Sequence, residues 1–186
     1  MPGGARRGRP AGRPRPRRAK APRPAPFRVR ATRRSDGSIL VRHRRRMWED
    51  IGGRTRAELD RADGPYRRWL ATETAHGRLR GFVAEAADGT VLGSGMLWLQ
   101  PSQPRPGPLG RKGMPYILSM FTEPTARGRG VASKIVRAMI DWARRSGYRR
   151  LVLHASRYGR PVYARLGFAD GNEMRLDLTA RPRRRR

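Results

Sequence analysis

The chain contains no cysteine, which excludes disulfides, thiolate metal sites and a cysteine nucleophile. Histidine is scarce too: His43, His76 and His154 are the three, and their spacing matches no zinc motif, so no metal is expected. Acidic side chains number 14 against 44 Lys and Arg, a formal net charge of +30. Such an excess repels cations and attracts anions such as nucleic acid, anionic lipid or phosphorylated small molecules. No apolar run approaches the length of a membrane span, and the N-terminus lacks the hydrophobic segment of a secretory signal. The expectation is a soluble cytoplasmic protein without a membrane partner.

What is present is unevenly spread. Residues 1–26 hold nine Lys/Arg, seven of the 16 prolines and no acid; the final stretch "RPRRRR" adds five arginines. Few apolar residues offset the entropy of ordering such segments, so 1–26 is expected to be a disordered Arg/Pro-rich tail and 181–186 a basic C-terminal tail. The 186 residues then leave one domain, expected over 27–180.

Within it, "FRVRA" alternates like a short strand. Leu40, His43, Arg44, Met47 and Ile51 fall at helical spacing, with Gly52 as a stop. A second helix is expected over 55–77, with a break or kink at Gly64-Pro65. "LRGFVAEA" and "TVLGSGMLWLQ" flank Asp88-Gly89 as a hairpin. A Pro/Gly-rich loop spans 101–115. "YILSMFT" (116–122) reads as a buried strand ended by Pro124, and 131–146 as an amphipathic helix closed by Gly147. "RRLVLHAS" (149–156) is a further strand, 159–168 a short helix, and "NEMRLDLT" (172–179) a closing strand. The strand–helix–strand unit at 116–156 implies a parallel pair with a right-handed crossover. The fold class is α/β, with a mixed sheet in a single domain.

One stretch carries chemistry. In "EPTARGRGVASKIVRAMIDW" (123–142), Gly128 and Gly130 precede a helix whose first N–H groups lack intrahelical partners, a favourable place for an anion. Arg127 and Arg129 add charge. A P-loop fails here, because Val131-Ala132 stands where Lys-Ser/Thr is needed. A dinucleotide fingerprint fails at Ser133, where a third glycine must pack closely. The pattern R/Q-x-x-G-x-G/A fits through Arg127-Gly128-Arg129-Gly130-Val131-Ala132. Downstream, Tyr163-Ala164-Arg165-Leu166-Gly167-Phe168 matches Y-x-x-x-G-F. At both motifs, and in element order over 27–178, the chain resembles the GNAT superfamily of N-acetyltransferases.

That resemblance implies a mainly antiparallel sheet flanked by helices, with a central parallel strand pair splayed for acyl-CoA. It implies acetyl transfer from acetyl-CoA, a co-substrate, to a primary amine of a small molecule or protein, by direct attack in a ternary complex. The backbone of Met120, Phe121 and Thr122 would meet the pantetheine and the acetyl carbonyl. N–H groups from Arg127 to Ser133 would hold the pyrophosphate. Tyr163 would protonate the departing thiolate. Ser156 stands where many relatives carry an asparagine that contacts the pantetheine. No base is evident on the strand before the motif; Glu123 is the first candidate, followed by His154, Glu85, Glu173 or a water relay. The acceptor is expected to meet the first two helices and loop 101–115; Arg42, His43, Arg45, Arg46 and Trp48 lie near that face, although packing of Trp48 on the sheet and solvation of the arginines is the favoured reading of them. The acceptor's identity and a homodimer stay open. Two alternatives remain: a basic nucleic-acid- or ribosome-associated protein on a GNAT-like scaffold, and an acyl-CoA sensor.

Overall fold

β1 (Phe27–Ala31) alternates apolar and arginine side chains, as a strand covered on one face requires. It pairs antiparallel with β2 (Leu79–Ala86), which turns through Asp88-Gly89 into β3 (Val91–Gln100). β4 (Met114–Thr122) runs antiparallel to β3, and β5 (Val152–Leu153) runs parallel to β4. The sheet order is β1-β2-β3-β4-β5. The computed structural model describes residues 26–101, 103 and 113–173. The tails expected over 1–26 (all but Pro26) and 181–186, most of loop 101–115, and all but the first two residues of the strand expected over 172–179 lie outside the described residues.

Helices cover both faces. α1 (Gly37–Ile51) and α2 (Arg56–Ala75) pack on one, burying Leu40, Val41, Tyr66 and Leu70 against Val83 and Met96. α3 (Val131–Arg145) and the short α4 (Arg160–Arg165) lie on the other. The inward stripe of α3, Val131, Ile135, Val136, Met139 and Ala143, is at most 1% exposed. Each of its large side chains stabilises the fold by about 1.5–3 kcal/mol. Thr55 starts α2 with a reciprocal cap: its hydroxyl accepts from Glu58 N–H, and the Glu58 carboxylate accepts from Thr55 N–H.

Two local expectations change. α2 runs unbroken through Gly64-Pro65. Proline removes one helical hydrogen bond, but Leu59 before it and Tyr66 and Leu70 after it are all buried, and this packing holds the two halves in one helix. The strand expected over 149–156 shrinks to Val152–Leu153, because β4 and β5 pair only at Tyr116–Val152 and Ile117–Leu153. Beyond that point the two strands part.

The cause sits in β4. Ser94 faces Phe121 and Met96 faces Leu118, so Gly95 alone opposes both Ser119 and Met120. This is a β-bulge, and Ser119 takes a φ of 52° to make it. A side chain at residue 95 would strike Met120: an added Cβ would lie 2.1 Å from Met120 Sδ. Glycine there lets the bulge fold down onto the sheet.

Candidate functional site

Two cavities meet at the bulge. The first, of about 900 Å³, lies along β4, the start of α3 and α4. The second, of about 1120 Å³, lies between α1, α2 and the sheet. Met47, Trp48, Tyr116, Leu118, Ser119 and His154 belong to the walls of both. Among the described residues three large apolar side chains are exposed, Ile51, Val152 and Tyr158, and each stands on one of these walls.

The 900 Å³ cavity brings together Met120, Phe121, Thr122, Arg127, Ala132, Ser156 and Tyr163, all singled out in the sequence. Gly128, Arg129 and Gly130 belong to the turn that leads into α3, Ser133 lies in the first turn of α3, and the Val131 side chain packs in the core beneath. Gly128 and Gly130 have φ of 75° and 78°, values that side-chain-bearing residues rarely adopt, and an added Cβ at either would meet nothing within 4 Å. The turn therefore needs glycine for its backbone angles and leaves open space above it. Lys134 N–H is the first in α3 to find a helical carbonyl, Gly130 O at 3.0 Å; those of Val131, Ala132 and Ser133 precede it without one. Arg127 reaches back to Thr122 O (3.1 Å) and to Asp50 of α1, tying the turn to β4 and to the opposite layer.

Tyr163 stands across the cavity on α4, its ring edge-on to Phe168 at 5.8 Å. Its hydroxyl has no hydrogen-bond partner among the described residues. Burial, with the Tyr116 phenol nearby, pushes its pKa up to about 12, so it is protonated at neutral pH. Ser156 Oγ caps Gly159 N–H at 3.2 Å.

The candidate bases separate clearly. Glu85 accepts from Arg30 and Arg28 at the far edge of the sheet, and those bonds hold its carboxyl down at about 2. The Glu123 carboxylate is gripped by Arg46, by His43 Nε2 (3.2 Å) and by Arg42 (3.7 Å), and it is absent from both cavity walls. His154 is on both walls. Its Nδ1 pairs with the Tyr116 hydroxyl and its Nε2 with the Glu173 carboxylate. Tyr116 carries no sequence signal as a site residue, since a tyrosine in a buried-strand pattern looks like any other. Of the α1 residues near the expected acceptor face, Trp48 reaches the cavities, Arg45 pairs with Asp60 and Asp63, and His43 is fully buried.

His43 bridges layers, pairing through Nδ1 with Ser94 Oγ of β3 at 2.9 Å. Burial pushes its imidazole down to about 4, against the pull of Glu123. The unfolded chain then takes up a proton near pH 6.5 that the folded chain refuses until about pH 4. Stability from this site is present above about pH 6.5 and lost as pH falls toward 4. Urea unfolding should accordingly lose about 2 kcal/mol between pH 7 and pH 5 from this group. His43→Gln should flatten that part of the curve; an unchanged slope would show that the imidazole does not control it.

The model of the acetyltransferase (GNAT) family matches residues 42–168. Among solved structures, a GCN5-related N-acetyltransferase from Ralstonia eutropha JMP134 is 28% identical, with a TM-score of 0.73 over 83% of this chain and 100% of that one. A predicted acetyltransferase from Clostridium acetobutylicum, solved with acetyl-CoA, is 28% identical, with a TM-score of 0.70 over 82% of this chain and 96% of that one. The aminoglycoside N-acetyltransferase AAC(6')-Iy, 17% identical with a TM-score of 0.60 over 84% and 99%, shares the fold. No curated protein matches the chain.

Proposed function

The chain belongs to the acetyltransferase (GNAT) family, and from that premise we propose that it transfers the acetyl group of acetyl-CoA to a primary amine by direct attack in a ternary complex. The observation that carries this is the convergence on one cavity of an unpaired β4 edge, a positive-φ glycine turn opening α3, and the Tyr163 hydroxyl. The residues fit acetyl-CoA. Beyond Ile117 the β4 backbone has no partner on β5 and can receive a strand-like pantetheine. The first-turn N–H groups of α3, with Arg127 beside them, suit a pyrophosphate. The Clostridium relative, solved with acetyl-CoA, supports this assignment.

When bound, acetyl-CoA supplies an activated thioester. A backbone N–H in Met120–Thr122 polarises its carbonyl. The amine enters from the 1120 Å³ cavity and gives a proton to the Tyr116 oxygen as Tyr116 passes its own to His154 Nδ1. The Glu173 carboxylate holds the resulting imidazolium through Nε2. The C–N bond forms, the C–S bond breaks, and Tyr163 protonates the sulfur. One proton leaves the amine and one arrives at the thiolate. Ser156 lines the pantetheine side, and Glu123 positions α1 against the end of β4 rather than taking the proton.

Acetyl-CoA at about 100 times its Kd should stabilise the protein by about 2.7 kcal/mol in thermal unfolding, with CoA thiol released once an amine is added. The pair Gly128→Val and Gly130→Val should remove most of that stabilisation, because valine strains both turn angles. Full-length protein that shows no shift with acetyl-CoA would refute the assignment.

A further inference from the structure

The second cavity has a wall suited to one kind of acceptor, and its chemistry narrows the proposed transferase reaction on which it rests. Trp98 Nε1 donates to Glu73 at 2.7 Å, and Arg78 holds Glu73 from behind at 2.6 and 2.8 Å. The bonds from Arg78 and then Trp98 keep the Glu73 carboxyl ionised, down at about 2. Trp69 packs edge-on to Trp98 at 5.6 Å and stacks near Tyr66 at 5.7 Å. The Arg44 guanidinium lies over the Tyr66 ring, 4.2 Å from its centre. Three rings are thus locked in place before any ligand arrives, which lowers the entropic cost of binding a flat, apolar body.

The charges on this wall are the second observation. Arg44 and Arg150 line the cavity, and among the described residues neither has a carboxylate within ion-pair distance. Among the described residues the one carboxylate on the wall is Glu173, which pairs with His154. A polycationic amine would find two arginines and no available acid, inside a chain of net charge +30. A guanidinium held over an aromatic ring at this distance still has N–H groups to offer a bidentate anion.

We propose that the acceptor is a small amine that joins an aromatic body to a carboxylate. The ring lies on Trp69 and Trp98, the carboxylate meets Arg44, and the amine points to Tyr116 on the wall that both cavities share. Polyamines and aminoglycosides are excluded by charge, unlike the aminoglycoside enzyme that shares the fold.

Matched probes test this with the full chain and acetyl-CoA: tryptophan against tryptamine, phenylalanine against phenethylamine, 4-aminobenzoate against aniline, and spermidine. For at least one pair the acid-bearing member should have a kcat/KM at least tenfold above its partner, and spermidine should fall below both. Arg44→Met should bring that ratio close to one while the acetyl-CoA thermal shift persists, which shows that the variant is folded. Trp69→Ala should raise KM for both members of the pair. The inference is overturned if no acid-bearing aromatic amine is acetylated, if spermidine matches or exceeds them, or if Arg44→Met leaves the ratio intact. A missing acetyl-CoA shift in the unmodified chain would instead overturn the transferase reading itself.

Discussion

Phenylalanine at Tyr163 should lower kcat by about 10²–10³-fold while KM for acetyl-CoA stays within about threefold. The side chain has two separable parts. Its ring packs on Phe168 and beneath Gly159, where an added Cβ would lie 2.9 Å from Tyr163 Cε2, and phenylalanine keeps that packing. Its hydroxyl has no hydrogen-bond partner among the described residues, and burial pushes its pKa up to about 12. With Tyr163 as the acid for the departing thiolate, losing the hydroxyl should fall on the transition state rather than on binding. Tyr116→Phe and His154→Gln should behave differently. They remove the path for the amine's proton, so their loss should shrink with less basic amines, whereas the loss in Tyr163→Phe should not depend on amine basicity. A loss below tenfold in Tyr163→Phe would remove it as the acid.

Gly93→Ala should cost about 3 kcal/mol of stability, a fall in Tm of about 6–12 °C for a chain of this size. An added Cβ would lie 2.7 Å from Phe121 O, 2.9 Å from Val131 Cγ1 and 3.3 Å from Thr122 Cα. Two of these atoms are backbone and cannot rotate away. They belong to the strand end and helix start that frame the cofactor cavity, so the damage should reach function. We expect KM for acetyl-CoA to rise about tenfold in the same variant. Gly95→Ala is the informative contrast. It strikes the sulfur of Met120 and the methyl of Met139, side-chain ends that can swing aside, so its cost should be smaller. Equal costs for the two variants would show that the backbone contact is not decisive.

Local elements were legible where spacing and punctuation agree. The α3 stripe, the Asp88-Gly89 hairpin and the glycine turn before α3 follow from periodicity and from backbone angles that favour glycine. α2 was harder, because Gly64-Pro65 is a local stop signal that distant packing of Tyr66 and Leu70 overrides. The bulge was invisible: Ser119 lies in an apolar run, and its φ of 52° is imposed by pairing with β3.

By itself, then, the sequence determined most of the elements, the family motif and the placing of Tyr163 on a helix after it, because these depend on residues near one another in the chain. Tertiary structure decided which groups meet. Glu123, prominent because it sits beside the motif, is gripped by Arg42, His43 and Arg46 from a helix some eighty residues earlier. Tyr116, His154 and Glu173, separated by up to 57 positions, form one hydrogen-bonded chain at the junction of two cavities. Charge partners and cavity walls depend on through-space distance, which sheet register and layer packing set and no local pattern encodes.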